Sequence, residues 1–418
     1  MLTYEQALKR IQRATPAPQA VRIPLQQALG LVLAQPVIAP VSLPLFDNSA
    51  VDGYAIGPCD GAPKKCYGLL TSTNGNNTAA PIVLRVVGCS SAGAPYPNRL
   101  RPGEAVRIFT GAAIPRGADR IIMQEHVHRH GDSIVSERWP EAGRHIRRRG
   151  EDVRRGTRIF AAGRIVRAQD LGLLAALGYE TIRVFRRPSV ALLSTGDELQ
   201  QPGRRLKAGQ IYESNGVLLE ALVHQAGARP VRMGIVRDAL QPLVARLRQA
   251  LAGEVEVVAV CGGVSVGERD LVRTALEACG VREQFWRVNI KPGMPLWFGR
   301  RGRTLVFGLP GNPVSAFVTF EEFVKPALCR LRGRSWQDAY TEPAVLVENL
   351  ELSRSRRTHF IRVQCSEQNQ LVAQPLNGQG SHHLRSLAEL DGWIRVTTDG
   401  GPWRAGTQVM VKRDGGGI

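Results

Sequence analysis

The chain has 418 residues, 43% hydrophobic and 22% charged, which excludes a disordered or collagen-like protein and calls for several domains. No apolar run nears the roughly 20 residues of a bilayer-crossing helix, and seven cysteines without a C-x-x-C pair give no zinc knuckle or disulfide framework. Lys and Arg outnumber Asp and Glu by 55 to 36, a formal +19. Such an excess raises nucleic-acid binding as a reading. No RRM, KH or zinc-finger signature accompanies it and the basic residues are dispersed, so an arginine-rich surface on an ordinary enzyme is the preferred account. The first residues, MLTYEQALKRIQR, lack the apolar core of an export signal. A reduced, cytoplasmic protein is the expectation.

In chain order, Thr3 as N-cap and Gln6 three residues on predict a helix over 3–14 through a capping box. A Pro-punctuated arm with one short helix follows. Alternating apolar and polar residues then predict strands at Pro81–Cys89, Glu104–Phe109, Asp119–Glu125 and Ser133–Glu137. The Asn/Gly-rich stretch 61–80 among them reads as a loop. His126, His128 and His130 alternate as metal ligands could, but Gly131 and Asp132 just beyond favour an exposed hairpin end, and they receive no role. An Ala/Leu-rich helix at Ala168–Leu177 should stop at Gly178.

From 187 to 332 strands and helices alternate, which implies a doubly wound α/β domain with right-handed crossovers. Its strands are expected at Ser189–Ser194, Val231–Val236, Val255–Cys261, Phe285–Ile290 and Thr304–Phe307, with a short run at Pro295–Phe298. Its helices are expected at 215–226, after Asp238, at Leu271–Cys279 and at Pro313–Leu331. Residues 340–418 carry only β-like runs and suggest a small barrel or sandwich. The domain expectation is therefore 1–58 with 140–186 as a linking domain, 59–139 as a β-rich insertion, 187–332 as the α/β domain and 340–418 as a C-terminal β domain.

Ligands of open α/β sheets lie beyond the carboxyl ends of the strands. The loops there hold Thr195-Gly196-Asp197-Glu198, Asp238, the run GGVSVGERD from Gly262 to Asp270, Lys291-Pro292-Gly293-Met294 and LPGNPVS ending at Ser315. A glycine loop running into a helix favours an anion. Lys291 adds positive charge, and Glu198, Asp238 and Asp270 suit a cation placed between them and a phosphate. Together these suggest a Mg²⁺–phosphate site. Asp238 and Asp270 also stand where an N-cap belongs, and capping alone would account for either. FDNSAVDGYA, with Asp52, reads equally as an Asx-rich turn, and RRRGED, with Asp152, as a solvated charge run.

These residues carry a resemblance. FDNSAVDGYA, FTGAAIP, IRRRGEDV, LLSTGDEL, GGVSVGERD, IKPGMP and GLPGNPVSA stand in the order seen in molybdopterin molybdenumtransferases, the MoeA family, to which the E domain of gephyrin also belongs. The likeness runs over nearly the whole chain, and the α/β part alone also resembles the pterin-adenylylating proteins of the same pathway. It implies an elongated, multidomain homodimer with a molybdopterin-binding α/β domain and a barrel-like C-terminal domain. The cleft would lie between the α/β domain of one subunit and the N-terminal part of the other.

The implied substrates are molybdopterin carrying AMP, and molybdate; the implied product is molybdenum cofactor, with Mg²⁺-assisted AMP release. Hand-over from a molybdopterin adenylyltransferase and to molybdoenzymes is implied too. Carried over by motif, Asp52, Thr110, Asp152, Asp238, Asp270 and Lys291 would serve catalysis. Glu198, Gly262, Gly263, Ser265, Gly267, Ser315, Arg357 and Ser381 would bind substrate, and Glu198, Asp238 and Asp270 would hold the metal. Two residues depart from the family. Arg287 stands where lysine is common, and Met294 replaces the second lysine of K-P-G-K. The loss of that charge is expected to weaken molybdate binding.

Overall fold

The computed structural model describes residues 1–57, 82–137, 140–263, 271–352, 357–367 and 369–413. The chain divides into two compact units: Met1–Gln35 with Gly163–Arg167 and Ile182–Ile418, and Pro36–Ala162 with Ala168–Thr181.

The first unit is built on a six-stranded sheet whose order is Arg229–Val236, Ser189–Thr195, Val257–Cys261, Thr304–Leu309, Trp297–Arg301, Arg282–Trp286. The first four strands are mutually parallel, and Trp297–Arg301 runs antiparallel to both neighbours. All seven residues of Ser189–Thr195 are buried, as a parallel strand covered on both faces requires. Its side chains alternate between two cores. Val190 and Leu192 pack with Tyr4, Ala7 and Ile11 of the first helix and with Leu219, Phe320 and Leu328. Ala191 and Leu193 pack with Leu243, Leu247, Val272 and Leu276 on the opposite face. Each fully buried Leu or Val there contributes about 1.5–3 kcal/mol.

The first helix, Tyr4–Ala14, begins as expected: the Thr3 side chain accepts from Gln6 N–H, and the Gln6 side chain accepts from Thr3 N–H. The helix expected after Asp238 spans Leu240–Ala252, but its N-cap is Ala239, so Asp238 does not cap it. The helix Asn215–Gln225 has Ser214 at its N-cap with no side-chain capping bond. The final helix expected at Pro313–Leu331 is three segments in succession: α over Pro313–Thr319, π over Phe320–Val324 and α over Lys325–Leu331.

The largest departure concerns the run expected at Phe285–Ile290. The sheet strand ends at Trp286, and Ile290–Lys291 leaves the α/β layer to pair in parallel with Thr358–His359 of the C-terminal region. That region is a closed barrel. Strands Thr358–Glu367, Leu371–Pro375, Glu342–Leu346, Gln408–Arg413 and Gly392–Thr397 pair in sequence, and the last returns to the first. Closure leaves no open edge among these five strands.

In the second unit, a six-stranded sheet runs Arg120–Met123, Gly53–Ile56, Glu104–Ile108, Ile82–Ser90, Ser133–Ser136, His128–His130. Its core gathers Tyr54, Ile56, Leu84, Ala105, Ile122 and Ile134. His128–His130 is the exposed arm of a hairpin with Ser133–Ser136. The helix Ala168–Ala176 is followed by Gly178 at φ +84°, a left-handed stop that glycine adopts without steric cost. The 61–80 stretch lies outside the described residues.

Candidate active site

The loops at the carboxyl ends of the strands Ser189–Thr195, Arg229–Val236, Val257–Cys261 and Thr304–Leu309 open on a cleft of about 990 Å³, whose other wall comes from the barrel. Glu198, Asp238, Gly262, Gly263, Lys291, Ser315, Arg357 and Ser381 all line it, and Met294 lines it too. Arg287 is not among the lining residues; its guanidinium lies over the Trp286 ring at 4.1 Å. Ser265, Gly267 and Asp270 lie outside the described residues.

The acidic end is set by Thr195, the last residue of the central strand. Its hydroxyl donates to Asp238 Oδ1 at 2.6 Å, and Asp238 N–H donates to Asp197 Oδ1 at 3.3 Å. Asp238 is exposed, and its carboxylate answers to a neighbouring strand rather than to the helix behind it. Asp197, which the motif reading did not single out, borders an adjoining hollow with Glu198 and Asp238.

Gly262 shows why a glycine stands there. Its φ is +99°, and a Cβ would lie 2.4 Å from the Thr195 carbonyl oxygen. Its N–H already donates to Leu309 O at 3.1 Å, so Gly262 supplies room rather than an anion donor. Asn215 Nδ2 donates to Gly311 O at 2.6 Å and to Cys261 Sγ at 3.2 Å. Burial pushes the Cys261 thiol up to about 12, so it stays protonated and inert at neutral pH.

The basic end joins α/β domain and barrel. Lys291 is placed by the strand pairing Lys291–His359, and Arg357 enters the same strand one residue before Thr358. Gly293, at φ +104°, lets the turn after Lys291 pass over the final helix, where a Cβ would lie 2.7 Å from Thr319 Cγ2. Ser381 is drawn to the start of that helix: its Oγ accepts from Asn312 Nδ2 at 3.1 Å and its carbonyl accepts from Val314 N–H at 3.2 Å. Asn312 stands at the N-cap but makes no capping bond, because its side chain serves Ser381. The positive field here is felt by His359: burial first, then Lys291 and Arg357, lowers its pKa. One cleft thus carries carboxylates at one end and cations with hydroxyls at the other, an arrangement for a substrate bearing several anionic groups.

Glu198 and Asp238 offer hard oxygen donors, which suit Mg²⁺, an ion commonly held by one or two carboxylates plus substrate phosphate. Among the described residues no group of three or more His, Cys, Asp or Glu forms a ready-made metal cage.

The second unit holds the other expected residues, and two of them meet. Thr110 donates to Asp52 Oδ1 from its backbone N–H at 2.7 Å and from Oγ1 at 2.9 Å. These bonds hold the Asp52 carboxyl below the usual carboxylate range. Two motifs that read separately as a turn and a charge run bind each other. Arg148 pairs with Asp47 at 2.8 Å, Arg149 N–H donates to Asp47 Oδ1 at 2.8 Å, and Ile146–Arg147 is antiparallel to Asn48–Ser49. Asp152 is exposed, with its N–H donating to Leu43 O at 3.1 Å. Sequence reasoning placed Thr195 and Asn312 in the site loops without giving either a role, and it missed Asn215 and Gln379 as parts of the site. Gln379 had no signal.

An α/β domain joined to a closed barrel, with carboxylates, cations and hydroxyls around one cleft at the strand ends, defines a multidomain protein suited to an anionic substrate. The chain matches the MoeA N-terminal region (domain I and II) over residues 2–178, the probable molybdopterin binding domain over 191–330 and the MoeA C-terminal region (domain IV) over 349–413. It is 34% identical to molybdopterin molybdenumtransferase of Haemophilus influenzae across 99% of this chain and 98% of that one. It is 38% identical to molybdopterin molybdenumtransferase 2 of Mycobacterium tuberculosis across 94% of each. A molybdopterin biosynthesis MoeA protein from Pyrococcus horikoshii superposes with a TM-score of 0.80 at 30% identity, covering 99% of both chains. The chain belongs to the MoeA family, whose curated members here are transferases of molybdenum cofactor biosynthesis.

Proposed function

We propose that this protein inserts molybdate into adenylylated molybdopterin, with Mg²⁺-assisted release of AMP, to give molybdenum cofactor. The observation that carries this reading is the cleft whose lining brings Glu198, Asp238, Lys291, Ser315, Arg357 and Ser381 together. Lys291 would hold phosphate oxygens. Arg357, Ser315 and Ser381 would hold molybdate, a dianion that needs charge together with hydroxyl donors. Bound Mg²⁺ at Glu198 and Asp238 would neutralise charge developing on the phosphoanhydride as AMP leaves. The carboxylates position and do not attack: Asp238 is fixed by Thr195, and Asp52 by Thr110.

The protein acts as a cytoplasmic homodimer in this reading, and Asp52, Thr110 and Asp152 of one subunit serve the cleft of the other. Asp270, Ser265 and Gly267 belong to the same machinery through their motif. The adenylylated pterin comes from a molybdopterin adenylyltransferase, and the finished cofactor goes to molybdoenzymes.

The test is AMP release from adenylylated molybdopterin with Mg²⁺, with and without molybdate. Molybdate-dependent release, reduced at least about 100-fold in Asp238→Asn, is expected. Release indifferent both to molybdate and to that substitution would overturn the reading. In the same assay Met294→Lys should lower half-saturating molybdate, because it restores a cation to the cleft wall.

A further inference from the structure

The barrel strand Thr358–Glu367 carries a cation that none of the residues above accounts for. Arg362 is 0% exposed. Its Nη2 donates to Gly378 O at 2.9 Å and to Gly380 O at 3.3 Å, while Nε and Nη1 find no partner among the described residues. Burial pushes the guanidinium down to about 10, so it remains charged at neutral pH, and no acid pairs with it among the described residues. Burying a cation in this way is costly, and a protein that needed only packing could use an apolar side chain there.

The two carbonyls belong to a loop with a specific task. Gln379, between them, accepts from Arg362 N–H at 3.1 Å and returns Nε2 to Arg362 O and Leu376 O, each at 2.9 Å. The next residue after Gly380 is Ser381, whose hydroxyl oxygen accepts from Asn312 and which lines the cleft. Two glycines make the loop permissive by itself, and Gly378 is at φ +80°. Arg362 and Gln379 remove that freedom directly behind the residue that faces the ligand.

We propose that Arg362 is a positioning residue for oxyanion recognition: it fixes the Gly378 and Gly380 carbonyls so that Ser381 is presented to the cleft, and its buried charge adds to the attraction of Lys291 and Arg357 for a tetrahedral dianion. The inference rests on the oxyanion-binding reading of the cleft. Positioning and charge separate chemically, because lysine keeps the charge but lacks the planar fork that spans two carbonyls.

The experiment uses the full chain and measures equilibrium binding of molybdate alone, together with half-saturating molybdate and the pterin KM during turnover. The variants are Arg362→Lys, Arg362→Met, Ser381→Ala and the double variant Arg362→Met/Ser381→Ala. Arg362→Met and Ser381→Ala should each weaken molybdate about tenfold, a loss of one good polar contact, with pterin KM within about twofold. Arg362→Lys should fall between. The double variant should be less than additive, since both changes act on the same contact. If Ser381→Ala weakens molybdate and neither Arg362 variant does, the positioning role is overturned while the oxyanion cleft stands. If no variant weakens molybdate, the oxyanion reading falls as well. Should Arg362→Met not fold, Arg362→Lys decides: unchanged molybdate binding overturns the proposal.

Discussion

His359 shows how the site's charge acts on a single side chain. It is 3% exposed, its Nε2 has no partner among the described residues, and it pairs in register with Lys291. Burial, then Lys291 and Arg357, lowers its pKa, so the folded protein holds a neutral imidazole. As pH falls below the usual histidine value of about 6.5, the unfolded chain takes up a proton that the folded chain refuses. Stability should therefore decline from pH 7 toward pH 5 and level off below the folded pKa. His359→Phe should flatten that decline in urea titrations across this window, though not abolish it, because burial lowers the His145 pKa in the same direction. An unchanged slope would contradict the assignment.

At this scale, residues whose type is itself unusual were readable at the cleft: Gly262 and Gly263 of GGVSVG, Glu198 of TGDE, the lysine of KPG. Arg362 was not. Thr358–Val363 is buried at every position, so alternation cannot mark which polar residue points inward. The N-cap alternative for Asp238 also looked sound in sequence. It failed because the helix starts one residue later and Thr195 claims the carboxylate.

At the scale of elements, the final helix of the α/β domain holds an ionic knot. Glu321 and Glu322 lie in its π segment, and both are buried. Lys412, from the last barrel strand, reaches Glu321 at 3.0 Å and Glu322 at 2.8 Å. Tyr4 and Tyr340 donate to Glu322 at 2.8 and 3.2 Å. Three segments far apart in the chain are thus tied where the barrel meets the helix that begins beside Ser315. The pattern FVTFEEFV gave no hint of this. Lys325 pairs with Glu321 one helical turn on, but the lysine that pairs with Glu322 lies 90 residues further along the chain. The π segment itself has no composition signal. Lys412→Met leaves Glu321 to Lys325, 2.9 Å away, but takes from buried Glu322 the cation that pairs with it, so it should destabilise the protein by about 3–5 kcal/mol in equilibrium denaturation. A loss under about 1 kcal/mol would show that the knot contributes little.

At the scale of the whole molecule, the alternation of strand and helix over 187–332 and the run of short strands after 340 were legible, because each reflects a local period. The exchange of Ile290–Lys291 into the barrel was not. A two-residue strand has no period, yet this one pairs Lys291 with His359 and brings it to the cleft that Arg357 also lines, so one cleft is made from two domains. The resemblance named Glu198, Asp238, Lys291, Arg357 and Ser381 before any geometry set them around one cleft. The structure adds the reasons: Thr195 for Asp238, Thr110 for Asp52, Asn312 for Ser381. The measurement that bears most directly on the account is the molybdenum content of the pterin product. The purified protein would be incubated with adenylylated molybdopterin, Mg²⁺ and molybdate, and the product assayed for transfer into a molybdenum-free molybdoenzyme. The account predicts molybdenum and pterin in equal amounts, with AMP released in step, and a metal-free pterin from Asp238→Asn. A folded protein that binds the pterin and releases AMP yet leaves it free of molybdenum would contradict it.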